Sequence, residues 1–372
     1  MKILTVLGAR PQFIKAAAVS RAIRKHNTVS RLRQFHEVIV HTGQHFDANM
    51  SDIFFQQMNI AKPDYQLHIA GLPHGAMTGQ MLEQIEAVIQ GEKPDWVLVY
   101  GDTNSTLAGA LAAVKMHVPV AHVEAGLRSH NAAMPEEINR TITDRISTLL
   151  LCPTANAINN LRSEGFPFST SSGVYQHIDL VGDVMVDALY QCREAAKREV
   201  DLAQWGLSDG RYVLCTLHRQ ENTDHPKRLE DILAALRTIA RETAVVLPLH
   251  PRTRKYLEAG GRSEALTGLQ VIEPVSYFEM QRLEIGASSI LTDSGGIQKE
   301  AYLHGVPCIT LRDETEWVET ITSGWNQLAG SDYERIIAAW RSVRQPKVSQ
   351  KSLFGEGDAS ERIVRSLIDY VG

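Results

Sequence analysis

Short, almost wholly apolar runs recur along this chain, and each is followed by a run with helical spacing. KILTVLG (Lys2–Gly8) precedes a helical stretch over Pro11–Arg24, and EVIVHTG (Glu37–Gly43) precedes one over Ala48–Met58. An amphipathic helix is read over Met77–Gln90, then a buried strand, DWVLVYGD, over Asp95–Asp102. Ser105–His117 reads as helix, VPVAHVE (Val118–Glu124) as strand, Pro135–Ser147 as helix and TLLLCPT (Thr148–Thr154) as strand. Apolar strands alternating with helices predict an α/β fold, a parallel doubly wound sheet with helices on both faces. After a looser Ser- and Gly-containing joint, Phe166–Gln176, the rhythm restarts with RYVLCTLH, a helix over Leu229–Arg241, AVVLPLH, GLQVIEP, SSILTDSGG, VPCITLR and a helix near Tyr333–Val343. A last helical pattern, Ala359–Tyr370, is expected to return to the first domain. The expected division is 1–168 plus 356–372 for one Rossmann-like domain and 174–355 for another. Two such domains facing each other would place both sets of strand C-termini at one interdomain cleft, where open α/β sheets bind ligands.

The 372 residues suit two domains of ordinary size, each with its own core. A net charge of −5 points away from nucleic acid and anionic membrane as partners. Cys152, Cys192, Cys215 and Cys308 are scattered without a C-x-x-C pair, which reads as reduced, buried thiols in a cytoplasmic protein. No apolar run is long enough to span a bilayer, and the N-terminal run is a first strand, too short for a signal peptide.

Within TDSGGIQKEAYLHGVP (Thr292–Pro307), Ser294, Gly295 and Gly296 sit where a strand becomes a helix. Backbone N–H groups at a helix N-terminus, with no Cβ in the way, suit a phosphate. Glu300, four residues after Gly296, can accept hydrogen bonds from ribose hydroxyls. The plainer reading is a tight turn whose glycines serve packing.

The other strand ends are unusually charged. Arg10 and Lys15 follow the first strand, a pair suited to a diphosphate or simply solvated. Asp102, Glu124, Arg128, Glu136, Glu137 and Arg140 follow later strands of the first half. His218, Arg219, Glu221, His250, Arg252, Arg312, Asp313, Glu314 and Glu316 follow those of the second. Asp102 could be a helix N-cap, Glu136 and Glu137 could be favoured first-turn charges, and His218 a satisfied histidine. For Asp102 and Glu137 the plainer reading is preferred residue by residue; the clustering of acids and cations at strand ends argues for a site.

GARPQFIK, GDTNSTLAG, HVEAGLRS, MPEEINR, LHRQEN, TDSGGIQKEA, LRDETEWVE and GDASERIV occur in order over nearly the whole chain. Together they resemble the non-hydrolysing UDP-N-acetylglucosamine 2-epimerase family. The resemblance implies a glycosyltransferase-B-like fold, interconversion of UDP-GlcNAc and UDP-ManNAc, a homodimer, and no redox cofactor or metal. It also implies elimination of UDP to a 2-acetamidoglucal and re-addition with a proton from the other face. By motif, Asp102, Glu124 and Glu136 become the acid/base carboxylates, Arg140 holds the sugar or a carboxylate, and His218 meets the leaving phosphate. Arg10, Lys15, Arg219, Ser294, Gly295, Gly296 and Glu300 become the UDP-binding set. A glycosyltransferase, a hydrolysing relative and a silent nucleotide-sugar sensor are the rival readings.

GARPQFIK, VGDVMVDA and DETEWVE also resemble the branch acting on UDP-2,3-diacetamido-2,3-dideoxyglucuronate, kept as the alternative to UDP-GlcNAc. Many family members need UDP-GlcNAc at a second, allosteric site that uses a Gln-His-Arg segment and a basic residue in the following loop. Here Gln44 and His45 are followed by Phe46 and Asp47, and the loop IAGLPHGAM has no arginine. Turnover without UDP-GlcNAc activation is therefore expected.

Overall fold

The computed structural model describes residues 1–30, 33–44, 62–169, 176–249, 253–254, 256–257, 263–343 and 353–370, with Arg10 and Ser263 described by backbone alone. The helix expected over Ala48–Met58, the residues His45, Phe46 and Asp47, and His250 and Arg252 lie outside these.

The chain divides into two compact units, Met1–Tyr190 with Phe354–Gly372, and Gln191–Leu353. The first holds a wholly parallel sheet of β1 (Lys2–Leu7), β2 (His36–His41), β3 (Tyr65–Gln66), β4 (Trp96–Tyr100), β5 (Val120–Val123), β6 (Leu149–Cys152) and β7 (His177–Leu180). Its order is β3-β2-β1-β4-β5-β6-β7. The second holds β8 (Tyr212–Thr216), β9 (Ala244–Pro248), β10 (Gln270–Ile272), β11 (Ser289–Thr292), β12 (Cys308–Thr310) and β13 (Asn326–Leu328), ordered β10-β9-β8-β11-β12-β13. In each sheet the order reverses beside its first strand, between β1 and β4 and between β8 and β11. Helices leave to opposite faces at such a switch point and open a crevice past the strand ends.

Burial on both faces explains the apolar runs. In the second unit, Val213, Cys215, Leu247 and Leu291 pack on one face under Leu229, Ile232 and Leu236 of the helix Pro226–Ile239. The alternate residues Tyr212, Leu214, Val246 and Ile290 pack on the other face against Leu283 and Ala301. In the first unit, Leu4, Val6, Val97 and Val99 pack with Met81, Ile85 and Ile89 of the helix His74–Glu92. Each such fully buried side chain contributes about 1.5–3 kcal/mol.

The first unit extends beyond the expected boundary at residue 168, because β7 pairs in register with β6, Leu149 opposite His177 through Cys152 opposite Leu180. The strand was missed because HIDL is only half-buried at the sheet edge, so its pattern is weak. The helices Ala155–Ser163, Val184–Glu199 and Tyr277–Gly286 and the short strands β3 and β13 also went unread in the sequence. The last helix, Ala359–Asp369, returns to the first unit with Ile363, Val364 and Leu367 buried. Asp187 caps it from outside, accepting from the Ala359 and Ser360 amides at 3.2 and 2.8 Å.

Candidate active site

At the first sheet's switch point the turns after β1 and β4 are joined by one side chain, Gln12. Its Oε1 accepts from the amides of Gly8 and Ala9 at 2.7 and 3.0 Å. Its Nε2 donates to Tyr100 O, Thr103 Oγ1 and Thr106 Oγ1 at 2.7, 3.0 and 2.9 Å. The amides ahead of the helix Arg10–Val29 are thus occupied within the fold.

Around this staple stand the expected residues of the first half. Lys15, 8% exposed, reaches from that helix and pairs with Glu124 at the end of β5. Glu124 has φ +73°, a left-handed conformation that a non-glycine residue adopts at a cost of about 1–3 kcal/mol. That strain, with the buried ion pair, fixes the carboxylate's direction.

Asp102 is not an N-cap. The helix Asn104–Lys115 is capped by Thr103, whose hydroxyl accepts from the Thr106 amide. The Asp102 carboxylate instead takes Arg140, through Nη2 and, at 3.2 Å, through Nε.

Arg140 lies on the helix Pro135–Ile146, whose polar face is the buried one: Glu137, Asn139, Arg140, Thr143 and Asp144 face inward. Glu137 grips Arg140 Nη1 and accepts from the amide and hydroxyl of Ser129, both at 2.9 Å, and from the His130 amide at 3.1 Å. Burial alone would raise the Glu137 carboxyl; the Ser129 and His130 hydrogen bonds and the Arg140 charge outweigh it and hold it below its ordinary value. Glu137 is therefore part of the constellation, against the plainer reading of it as a first-turn charge. Glu136, its neighbour, is half-buried. Arg128 is not aimed at a ligand: it forks onto Glu164 at 2.7 and 2.8 Å and donates to Asp144 at 2.7 Å.

The second sheet's switch point is built in parallel. Asp293, fully buried at the end of β11, accepts from the amides of His218 and Arg219 at 3.2 and 3.0 Å, and from Asn222 Nδ2 at 3.2 Å. It joins the turn after β8 to the Ser-Gly-Gly turn. His218 and Arg219 are half-buried there, and the His218 ring lies 3.5 Å from Asp293.

Ser294 is the N-cap of the helix Gly295–His304 and makes no side-chain cap. A Cβ on Gly295 would stand 2.1 Å from Glu316 Oε1, so a side chain there would have to displace the carboxylate that Arg312 holds. A Cβ on Gly296 would meet nothing nearer than Ser294 Oγ at 3.8 Å. Gly296 has no steric reason within its own fold to lack a side chain, which leaves room for a ligand at the helix end. Glu316, beside that end, is held at 3.0 Å by the fully buried Arg312. Glu300 is buried on the same helix. Among the described residues, no group of three or more His, Cys, Asp or Glu side chains could hold a metal ion. No described helix is long and apolar enough to cross a membrane.

Gln12 and Asp293 were missed as site residues in the sequence, and Glu137 was named there but read as a first-turn charge. Gln12 and Asp293 lie inside the motif segments but hold backbone, and nothing in their spacing distinguishes a backbone staple from a ligand contact.

The family model described as UDP-N-acetylglucosamine 2-epimerase matches residues 27–368. The chain belongs to that family. A Pseudomonas aeruginosa relative, UDP-2,3-diacetamido-2,3-dideoxy-D-glucuronate 2-epimerase, is 54% identical over 369 residues, 99% of each chain. The structure of Methanocaldococcus jannaschii UDP-GlcNAc 2-epimerase in complex with UDP-GlcNAc and UDP aligns with TM-score 0.88 at 42% identity, covering 99% of this chain and 100% of that one. The Neisseria meningitidis UDP-GlcNAc 2-epimerase bound to UDP-GlcNAc aligns with TM-score 0.88 at 33% identity, covering 99% and 100%. As an epimerase-family enzyme, the chain has the glycosyltransferase-B-type pair of parallel α/β sheets expected from its motifs.

Proposed function

We propose that this enzyme inverts C2 of a UDP-2-acetamido sugar by eliminating UDP and adding it back. The observation that carries the reading is the pairing of Glu124 with Lys15 and Asp102 with Arg140 at one switch point. These are two carboxylates kept in place by cations where an open α/β sheet binds its substrate. The phosphates are assigned to the second unit, at the end of the helix Gly295–His304, where Gly296 leaves room beside the helix amides.

The C2 proton is weakly acidic, so its removal must be coupled to departure of the diphosphate. A carboxylate takes the proton, the C–H electron pair becomes the C1–C2 double bond, and the C1–O pair leaves with UDP. Reversal with the proton delivered to the opposite face gives the epimer, with no net electron transfer. Asp102, Glu124 and Glu136 supply the acid and base, and Arg140 orients Asp102. Arg10, Lys15, Arg219 and His218 offset the diphosphate charge, Ser294, Gly295 and Gly296 receive it, and Glu300 accepts from the ribose. A homodimer, as the motifs imply, is part of the same proposal.

For the sugar, the 54% identity to the diacetamido-glucuronate enzyme, against 44% to the Methanocaldococcus jannaschii UDP-GlcNAc 2-epimerase, supports the reading held as the alternative from sequence. UDP-2,3-diacetamido-2,3-dideoxyglucuronate becomes the preferred substrate and UDP-GlcNAc the second reading. One experiment tests both levels. Each sugar is turned over in heavy water, with specificity constants compared and products read by NMR. Deuterium at C2 and a preference of at least about tenfold, 1.4 kcal/mol, for the uronate are expected. Epimer retaining protium at C2 would sink the elimination route, and a tenfold preference for UDP-GlcNAc would restore the other substrate.

A further inference from the structure

Behind the site lies a buried His–Asp pair that the chemistry above does not use. His122, on β5, is 0% exposed, two residues before Glu124. Its Nε2 lies 2.7 Å from the carbonyl oxygen of Gly101, the residue before Asp102. Its Nδ1 lies 2.7 Å from Asp144 Oδ1. The other Asp144 oxygen accepts from the Gly126 amide at 3.1 Å and from Arg128 at 2.7 Å. Asp144 stands on the helix that carries Glu136, Glu137 and Arg140.

The pair therefore touches all three segments bearing the carboxylates: the turn of Asp102, the turn after Glu124, and the helix of Glu136. A carbonyl can only accept, so Nε2 donates. Burial would raise the Asp144 carboxyl, but the hydrogen bond and charge of His122 and the Arg128 guanidinium outweigh it and hold it below its ordinary value. Asp144, which already accepts from the Gly126 amide and Arg128, therefore faces Nδ1 as a carboxylate held on both oxygens.

A pair serving the core alone could sit anywhere in the sheet, and a hydrophobic pair would do as well or better there. This one bonds the backbone at the two turns that aim Asp102 and Glu124. We propose that His122 and Asp144 are positioning residues that set the mutual geometry of Asp102, Glu124 and Glu136. The proposal rests on the epimerase reading above. Misplacing reacting groups by about 1 Å can cost around 10²-fold in rate.

The test compares wild type with His122→Asn, whose amide can still reach Asp144, and His122→Gln, whose amide can still reach the Gly101 carbonyl. Both are checked for folding by circular dichroism and melting, and UDP affinity is measured by calorimetry. Expected are a kcat at least tenfold lower in His122→Asn, partial recovery in His122→Gln, KM within threefold of wild type and UDP affinity within twofold. His122→Asn retaining half of wild-type kcat, or losing UDP affinity as steeply as kcat, would overturn the proposal. Should His122→Asn fail to fold, ¹⁵N imidazole spectra of the wild type decide. A protonated Nε2, donating to the Gly101 carbonyl, supports it, and an unprotonated Nε2 overturns it. A wild type that epimerises no UDP-2-acetamido sugar would remove the function reading, and the spectra would still report whether Nε2 donates.

Discussion

Arg140 stands between two carboxylates, and the two should behave differently when altered. Asp102→Asn removes a proposed reacting group, as does Glu124→Gln; each should lower turnover by about 10²–10⁴-fold. UDP affinity should hold within a few-fold in both, as measured by calorimetry beside steady-state kinetics. Near-normal turnover in either would remove that residue from the chemistry. Glu137→Gln should show its effect in stability. The Glu137 carboxyl is held below its ordinary 4.5, so the stability it contributes is present above that pH and lost as pH falls through its lower folded value. At pH 7 the variant should be less stable by about 2 kcal/mol, the scale of a hydrogen bond to a charged group. The gap in melting temperature from wild type should narrow as pH is lowered toward 4; a gap independent of pH would mean that Glu137 is neutral in the fold. Single letters could not separate Glu136 from Glu137, since neighbours on a helix point about 100° apart and only the tertiary structure says which points inward.

Elements explain why the inner strands of the first sheet were legible and why the buried face of one helix was not. A strand buried on both faces is an apolar run, and the five strands of the first sheet inside its edges β3 and β7 carry that mark. The helix Pro135–Ile146 inverts the usual rule: Ile138 and Ile142 are 48% and 40% exposed while Glu137, Arg140 and Asp144 are buried. Hydrophobic periodicity assigns such a face to solvent. The readable signal was the spacing of the charges at i, i+3 and i+7, which puts them on one stripe. The Ser-Gly-Gly turn was legible as a helix N-terminus, but its two glycines differ in a way the sequence hides. Gly295→Ala should cost stability, because its Cβ would collide with Glu316. Gly296→Val, facing open space, should leave melting within about 1 °C while weakening UDP by tenfold or more, a loss comparable with an unmade charged hydrogen bond. Unaltered UDP affinity in a folded Gly296→Val would move the phosphate elsewhere.

At the scale of the whole molecule, each unit closes its own sheet, and the strap Ala359–Asp369 belongs to the first. Lys25 pairs with Glu361 at 2.6 Å, Arg33 donates to Ile368 O at 2.8 Å, and Ser366 donates to Asp179 at 2.6 Å. Asp187→Ala strips the strap of its external cap and should lower the urea midpoint by the equivalent of about 1–2 kcal/mol, with UDP affinity unchanged. A fall in UDP affinity matching the loss of stability would mean that the strap supports the nucleotide site after all. That the last helix would return was legible in its pattern; the reason, a cap offered by a residue more than a hundred positions earlier, was not, because such pairings leave no local periodicity. The strap also sets an order of manufacture. A ribosome delivers β1 to β7 first, then the whole of Gln191–Leu353, and the strap last. The nascent first unit must wait with the face for Ile363, Val364 and Leu367 uncovered while the second unit emerges. It is in that interval, rather than in the finished protein, that a chaperone would find an apolar surface to hold.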